Sequence, residues 1–288
     1  MKKFESARGR LFRRGGIIAG LAAVAGLAVT GAAAASARSP VAPHHSSGPR
    51  PTIVLVHGAW ANGSSWDGVV QRLQADGYTV DVPANPLQGL AFDPEYIADF
   101  LHSISGPIVL VGHSYGGAVI TNAATGDAQV KALVYVDAFA PDQGQTLGQL
   151  VSSVPGSCVV AADPTTIFNL ATYPGAPAGV FDAYFKQSLF PGCFANGLPL
   201  AQARVLAATA EPLSTIALSQ PSGVPAWKTI PSWAVVGTAD RVILPAVQLA
   251  MARHAHAHIT EVRAPHLSMI SSPGVVTRVI LQAVRATG

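Results

Sequence analysis

Charged side chains are scarce in this chain of 288 residues, where Asp, Glu, Lys and Arg together make up only 11%. An average soluble domain carries about 25%. Hydrophobic residues account for 49% of the chain, so there is ample material for a buried core. This balance excludes disorder over most of the chain, because disordered segments combine high charge with few apolar residues. The length is that of one large domain or two small ones.

Cysteine is equally scarce, since Cys158 and Cys193 are the only two in the chain. Two cysteines by themselves do not make a structural zinc site, because such sites take four protein ligands. The pair is therefore either a disulfide or two free buried thiols. We expect the disulfide, because the N-terminal residues described below indicate export to an oxidising environment.

Basic residues are few beyond the N-terminus. The chain has 18 Lys and Arg against 15 Asp and Glu, but six of the basic residues lie within residues 1–14, opposed only by Glu5. From residue 38 onward 12 basic residues face 14 acidic ones, a net charge of −2. A domain with this balance lacks the strong positive charge that attracts phosphate backbones, so we expect no nucleic-acid partner.

Residues 1–37 have the pattern of an export signal peptide. The basic start is followed by the apolar run "GGIIAGLAAVAGLAVTGAAAAS" and by "ASA" at residues 35–37, an A-x-A-like cleavage site. We expect cleavage there, secretion, and no stable membrane association afterwards. An uncleaved membrane anchor is the alternative, since the run is long enough to span a bilayer. The pair Arg13-Arg14 also allows twin-arginine export.

Residues 38–50 are rich in Pro and Ser and predict a flexible N-terminal segment.

From residue 51 to residue 288 the chain alternates between short strand-like runs and segments with helical spacing of apolar residues. Short β-branched runs predict strands at 52–56, 78–84, 107–112, 131–138, 232–237 and 258–262, and apolar periodicity predicts helices at 65–77, 93–104, 116–124, 245–255 and 273–286. This alternation indicates an α/β domain with a mostly parallel, doubly wound sheet that is flanked by helices.

Residues 140–227 interrupt the alternation. They are rich in Pro, Gly and aromatic residues, they contain both cysteines, and "GVFDAYFKQSLF" (179–190) predicts a short helix. A long insertion in an α/β sheet is usually a cap over the ligand crevice, although a surface excursion is the alternative. The abundance of Phe, Tyr and Leu favours the cap.

The segment "GHSYG" (112–116) matches G-x-S-x-G and lies between a predicted strand and a predicted helix. At such a turn the serine adopts a strained backbone conformation that exposes its hydroxyl. Side chains at Gly112 and Gly116 would collide with neighbouring backbone. The following helix directs its N-terminus at the same place, which favours developing negative charge. We therefore predict Ser114 as a nucleophile.

A serine nucleophile needs a base, and the base needs an orienting acid. His266 follows the last predicted strand, and Asp240 follows the strand before it. The order Ser114…Asp240…His266 is the chain order of triads built on G-x-S-x-G turns. Asp137 also ends a strand and is the alternative acid.

The other histidines are weaker candidates for a catalytic or metal-binding role. His113 adjoins the serine, but its side chain should point away from the hydroxyl. His57 follows the first strand and is expected to make a structural hydrogen bond. His254, His256 and His258 alternate as metal ligands could, but they straddle a helix end and a strand start, so we expect solvated side chains and no metal site.

An oxyanion intermediate needs two backbone N–H donors. One is expected from Tyr115, which follows the nucleophile, and the other from the loop after the first strand. In "HGAWANGSSW" (57–66), Gly58 permits a tight turn. Ala59 is the predicted donor and Trp60 the alternative.

The segments "VLVHGAWANGSSW", "VGHSYGG", "YVDAFAPDQGQT" and "GTADRVI…PHLSM" together resemble α/β-hydrolases of the methylesterase and hydroxynitrile-lyase branch. The resemblance spans about residues 52–286 and is weak between 140 and 227. It implies the α/β-hydrolase fold, Ser114, Asp240 and His266 as catalytic triad, and the amides of Ala59 and Tyr115 as oxyanion hole.

The branch contains hydrolases and lyases, and two residues help to choose. The resemblance implies that lyases carry Thr where Gly58 stands, and Lys, whose charge stabilises departing cyanide, where Leu267 stands. We therefore expect a secreted serine esterase that acts on small-molecule carboxylic esters through an acyl-enzyme, without metal or organic cofactor. The alternatives are a hydroxynitrile lyase, a cofactor-free perhydrolase, and a non-catalytic ligand-binding relative.

Overall fold

Nine strands lie within residues 49–288, the part of the chain that this computed structural model describes. They are β1 (Thr52–Val56), β2 (Val80–Asp81), β3 (Ile108–His113), β4 (Val130–Val136), β5 (Phe168–Ala171), β6 (Asp182–Phe185), β7 (Leu213–Ser214), β8 (Ser232–Gly237) and β9 (His258–Val262). Six of them form a parallel sheet in the order β2-β1-β3-β4-β8-β9. The other three form a small antiparallel sheet in the order β5-β6-β7.

The same residues contain eight α-helices that flank the sheets. They are α1 (Asp67–Ala75), α2 (Asp93–His102), α3 (Tyr115–Ala123), α4 (Leu147–Ser152), α5 (Leu200–Ala208), α6 (Pro245–His254), α7 (Ser268–Ser271) and α8 (Pro273–Thr287). Helices α3 and α8 both contact β3 and β4, while α2 packs on α3 and α1 packs on α8. Strand β3 is buried at all six positions, as expected for a central strand covered on both faces.

The predicted α/β class and parallel sheet are confirmed, and most predicted elements begin and end within two residues of the observed ones. The strand predicted at 78–84 is shorter than expected, because only Val80 and Asp81 pair with β1. It lies at the edge of the sheet, and Pro83 has no N–H with which to continue the pairing.

The helix predicted at 179–190 is wrong. Residues 182–185 form β6, and a short 3₁₀ helix follows at Phe190–Gly192. In β6 the side chains of Ala183 and Phe185 are buried while Tyr184 between them is exposed, which is the two-residue period of a strand. Pairing with β5 and β7, which are distant in the chain, decides this conformation.

The chain between β4 and β8, residues 137–231, is called the insert below. It carries the small antiparallel sheet, α4 and α5. A disulfide joins Cys158 to Cys193 within it, as predicted from the sequence. The insert therefore has its own secondary structure and its own covalent cross-link.

The predicted export signal at residues 1–37 lies outside the described residues, as does the 38–50 segment except for its last two residues. Both stay predictions. In residues 49–288 no helix is long and apolar enough to cross a membrane.

Candidate active site

Ser114 occupies the turn between β3 and α3. Its backbone angles are φ 51° and ψ −120°, a left-handed conformation that non-glycine residues rarely adopt. The turn is crowded: a Cβ at Gly112 would lie 2.5 Å from the Gly116 carbonyl oxygen, and a Cβ at Gly116 would lie 2.5 Å from the Val56 carbonyl oxygen. Both glycines are therefore steric requirements of the turn that presents the Ser114 hydroxyl at the carboxyl edge of the sheet.

The structure brings Ser114, His266 and Asp240 into one hydrogen-bonded chain. The Ser114 hydroxyl donates to His266 Nε2 over 2.9 Å, and His266 Nδ1 donates to Asp240 Oδ2 over 2.7 Å. His266 is fully buried and Ser114 is only 4% exposed. This is the arrangement in which an imidazole accepts the proton of a serine hydroxyl while a carboxylate orients the ring.

The carboxylate of Asp240 is held by three further donors. Its Oδ1 accepts the backbone N–H of Val242 over 2.7 Å and that of Ile243 over 3.2 Å. Its Oδ2 accepts the side-chain amide of Gln248 over 2.6 Å. Burial raises the pKa of Asp240 well above its ordinary value, and these hydrogen bonds offset part of that rise by favouring the carboxylate. The donors therefore support the ionised form that pairs with His266.

Gln248, on α6, was not singled out from the sequence. Its amide nitrogen donates both to Asp240 Oδ2 and, over 2.7 Å, to the Ile243 carbonyl oxygen, so both amide protons are used. The reversed amide would face two acceptors with an oxygen, which is repulsive. No sequence motif signals this contact, because a glutamine eight residues after an aspartate has no characteristic pattern.

Asp137, the alternative acid, makes no hydrogen bond to His266. Its Oδ1 accepts the N–H of Gly237 over 2.8 Å and its Oδ2 accepts the N–H of Ser268 over 3.0 Å. The carboxyl thus ties β4 to the end of β8 and to the loop that carries His266. Burial, and then the nearby Asp240 charge, raise the pKa of Asp137. Asp240 therefore contacts the imidazole, whereas Asp137 holds the backbone at Gly237 and Ser268.

Burial lowers the pKa of the His266 imidazole, because complete removal from water penalises the charged ring. The neutral ring is the form that accepts a proton from a hydroxyl. Burial thus favours the neutral imidazole at His266.

Two candidate oxyanion donors lie beside Ser114. Tyr115 is the first residue of α3, so its amide belongs to the unpaired N-terminal turn of that helix. Trp60, the alternative second donor, already gives its N–H to the Glu211 carbonyl oxygen over 3.0 Å. The Ala59 amide has no such bond to the described residues. The structure therefore favours Ala59 over Trp60.

The side chain of Tyr115 is anchored by a residue that was not predicted for the site. Its hydroxyl donates to Asp93 Oδ2 over 2.7 Å, and Asp93 also accepts the amides of Gln88 and Gly89. Asp93 is fully buried. The contact holds the first turn of α3, which carries the Tyr115 amide, against the loop before α2.

The remaining histidines have other partners. His113 donates through Nε2 to the His266 carbonyl oxygen over 3.0 Å, and His57 donates through Nδ1 to the Gly58 carbonyl oxygen over 3.0 Å. His254 pairs with Asp142 at the surface. Nowhere in residues 49–288 do three or more potential metal ligands lie together.

Aromatic side chains of the insert pack against His266 and Trp60. Phe194 lies with its ring centre 4.9 Å from that of His266, at 72°. Trp60, in the candidate oxyanion loop, stacks on Phe168 and meets Phe185 and Phe194 edge to face. Such aromatic pairs add packing energy beyond the area that they bury. The Phe194 ring therefore covers one side of the buried His266 imidazole.

Comparison with known proteins gives a family match over most of the chain. A model described as the alpha/beta hydrolase family matches residues 53–279. The carbendazim hydrolyzing esterase of Nocardioides sp. is 38% identical over 112 residues, which are 34% of this chain and 46% of that protein. The chain thus spans just under half the length of this relative. The alpha/beta hydrolase nvfD of Aspergillus novofumigatus is 28% identical over 257 residues, 81% of this chain and 96% of that protein.

Solved structures share the fold. The pyrethroid hydrolase from Sphingobium faniae has a TM-score of 0.61 and 23% identity, over 82% of this chain and 98% of that chain. At 23% identity this likeness shows a shared fold and nothing more. Together with the family match, it confirms the resemblance to α/β-hydrolases that the sequence motifs indicate.

Proposed function

This chain belongs to the alpha/beta hydrolase family, and we propose that within it the chain is a serine esterase that cleaves carboxylic esters. The single observation that carries the proposal is the hydrogen-bonded chain from the Ser114 hydroxyl through His266 to Asp240. The names of similar proteins support it, since one of them is a carbendazim hydrolyzing esterase.

The first half of the proposed reaction acylates the serine. Ser114 Oγ attacks the ester carbonyl carbon while its proton moves to His266 Nε2. Asp240 stabilises the imidazolium that forms. The amides of Ala59 and Tyr115 hold the negative oxygen of the tetrahedral intermediate. The carbon–oxygen bond to the alcohol then breaks, and the alcohol leaves with the proton from His266.

The second half returns the free serine. A water molecule gives its proton to His266 and attacks the acyl carbon of the Ser114 ester. The resulting tetrahedral intermediate uses the same two amides. Its collapse breaks the bond to Ser114 Oγ, which regains the proton, and the carboxylic acid leaves. The net change is the addition of one water molecule to one ester.

Two residues favour hydrolysis over cyanohydrin cleavage. Leu267 is buried next to His266 and brings an apolar side chain, with no positive charge for a cyanide leaving group. A Cβ at Gly58 would lie 2.7 Å from the Ser114 Cβ, so the turn has no space for a threonine there. Both observations support the esterase proposal over the lyase alternative.

The proposed substrate is a small-molecule ester with an apolar acyl or alcohol group. Trp60, Phe194 and Leu267 are all buried around the Ser114–His266 pair. We also propose that the insert acts as the cap, because its Phe194 ring packs on His266. Apolar walls stabilise apolar substrate groups by removing them from water.

A panel of p-nitrophenyl esters from acetate to dodecanoate tests the proposal, with mandelonitrile as the lyase substrate. We expect steady-state turnover of the esters, with the highest kcat/KM at short to medium chains, and no cyanide release. Binding of these ligands without turnover would favour a non-catalytic relative instead. Cyanide release from mandelonitrile at a rate comparable to ester hydrolysis would favour the lyase.

Replacing Gln248 with leucine should lower kcat about 10- to 100-fold. A hydrogen bond to a charged group contributes roughly 1.5–3 kcal/mol, and about 1.4 kcal/mol corresponds to tenfold in rate. Leucine fills most of the space but leaves Asp240 Oδ2 without one of its donors. The measurement is kcat alongside Tm, with Gln74→Leu on the exposed face of α1 as matched control. An unchanged kcat in Gln248→Leu would remove Gln248 from the site.

We further propose that the protein acts outside the cell. The Cys158–Cys193 disulfide supports this location, because disulfides persist in oxidising compartments. N-terminal sequencing of protein recovered from the culture medium tests it, and Arg38 as first residue is the expected result.

A further inference from the structure

The loop that carries Asp240 is held from outside by the insert. We call residues 239–242 the acid loop. The Cys158 amide donates to the Arg241 carbonyl oxygen over 2.8 Å, and the Ser157 hydroxyl donates to the Val242 carbonyl oxygen over 2.6 Å. Both bonds come from a segment that is distant from the acid loop in the chain, so the fold of the insert decides whether they form.

A second segment of the insert also forms hydrogen bonds with the acid loop. Arg241 donates through its guanidinium to the Gly192 carbonyl oxygen over 2.9 Å, and Asn196 donates through its side-chain amide to the Ala239 carbonyl oxygen over 3.0 Å. These four bonds, two from each segment, are called the clamp below. Three of these bonds end on acid-loop carbonyl oxygens, which belong to Ala239, Arg241 and Val242. All three residues lie within two positions of Asp240.

The second segment also contacts the loop that carries His266. Phe194, which follows Cys193, packs its ring on the imidazole. Gly197 lies beside Pro265, the residue before His266. The same short segment therefore touches the carriers of both the acid and the base.

The disulfide joins the two halves of the clamp. Cys158 is itself a clamp donor, and Cys193 lies between Gly192 and Phe194. The two cysteines are separated by 35 positions in the chain, so without the cross-link the segments are connected only through the remainder of the insert. A cross-link removes much of the freedom of such segments to separate.

We propose that the Cys158–Cys193 disulfide is a positioning element for Asp240, because it keeps both halves of the clamp on the acid loop. This inference rests on the proposed esterase function. Catalysis requires the carboxylate to stay within hydrogen-bond distance of His266 Nδ1, and small displacements of catalytic groups are costly in rate. Opening the disulfide should thus lower kcat and affect KM less, because the buried side chains of Trp60 and Leu267 lie outside the insert.

The test compares the oxidised protein, the reduced protein and the Cys158→Ala/Cys193→Ala double variant. Reduction by dithiothreitol breaks the S–S bond, adds two electrons and two protons to give two thiols, and leaves oxidised dithiothreitol. We expect kcat for p-nitrophenyl butyrate to fall on the order of tenfold or more, with KM changed less than threefold. Reoxidation should restore kcat. All assays run at least 15 °C below the Tm of the variant, so that unfolding does not contribute.

Hydrogen exchange supplies a readout that does not depend on turnover. The amides of Val242 and Ile243 donate to Asp240, so their exchange should accelerate when the disulfide opens, while the amides of β3 should not change. If the oxidised wild type hydrolyses no ester, the proposed function fails, and this exchange experiment still decides whether the clamp depends on the disulfide.

Two single variants keep the disulfide and refine the test. Asn196→Ala removes one clamp bond and should lower kcat by a smaller factor than opening the disulfide. Lys186→Met removes a hydrogen bond to the Thr165 carbonyl oxygen, which lies in the insert away from the acid loop, and should leave kcat unchanged. A disulfide that only stabilises the fold would lower Tm with kcat and the Val242 and Ile243 exchange unaltered, and this result would overturn the proposal.

Discussion

Replacing Ser114 with alanine should lower kcat for p-nitrophenyl butyrate by roughly a million-fold, the size of loss seen when other triad nucleophiles are removed. Alanine has no oxygen to attack the ester carbonyl carbon, so no acyl-enzyme forms. Any catalysis that remains should come from the proposed oxyanion amides of Ala59 and Tyr115 and from substrate binding. The KM should change little, because the aromatic walls of the site are intact.

The measurement combines steady-state kinetics with a burst experiment, since wild type should release p-nitrophenolate in a burst of one equivalent and Ser114→Ala should show none. Ser105→Ala is the matched control, because Ser105 is exposed in the loop between α2 and β3. The Tm of Ser114→Ala should equal or exceed that of wild type, since the substitution removes a buried hydroxyl but keeps the Cβ. Ester hydrolysis at the wild-type rate in Ser114→Ala would rule out Ser114 as nucleophile.

Asp240→Asn should lower kcat about ten-thousand-fold, as the equivalent change does in other triads. An asparagine amide oxygen still accepts a hydrogen bond from His266 Nδ1, but it carries no charge to stabilise the imidazolium. The amide group also has to satisfy Gln248, Val242 and Ile243, which are all donors. The asparagine nitrogen would therefore face a donor in either orientation, which also disturbs the position of the ring.

Asp137→Asn is the comparison that separates the two carboxyl groups. Its partners are the backbone amides of Gly237 and Ser268, so the new amide nitrogen would oppose one of them. We expect a clear drop in Tm, because an unpaired buried donor costs about 1–3 kcal/mol, together with a kcat loss at least tenfold smaller than in Asp240→Asn. A fully active Asp240→Asn, or a larger kcat loss in Asp137→Asn, would transfer the role of the acid to Asp137.

The turn around Ser114 could be predicted from the sequence because its causes are local. Gly112 and Gly116 are two residues from the serine, and a side chain at Gly112 would collide with the backbone of Gly116 and Gly117 at the start of α3. The β-branched run before the turn and the small residues after it identify the strand and the helix. Local steric constraints and the spacing of hydrophobic residues are therefore enough to predict this turn.

The insert was predicted less well for the opposite reason. Residues 179–190 predict a helix, but Asp182–Phe185 within them pairs with Phe168–Ala171 and Leu213–Ser214, which lie elsewhere in the chain. Strand propensity is strongly dependent on such partners. The contacts of Gln248 with Asp240, of Asp93 with Tyr115, and of Phe194 with His266 also have no signature in the sequence.

By itself the sequence determined the α/β class, the strained turn at Ser114, and the candidate acid and base that follow β8 and β9. These follow from residues that are close together in the chain, whose conformations depend on local sterics and burial. The tertiary structure decided that Asp240 contacts the His266 imidazole, whereas Asp137 accepts the Ser268 amide near His266. It also decided that the Trp60 amide donates to the Glu211 carbonyl oxygen and that the disulfide joins the two segments of the clamp. The physical reason is that hydrogen-bond partners are chosen within about 3 Å in space, where segments distant in the chain compete for the same donors and acceptors.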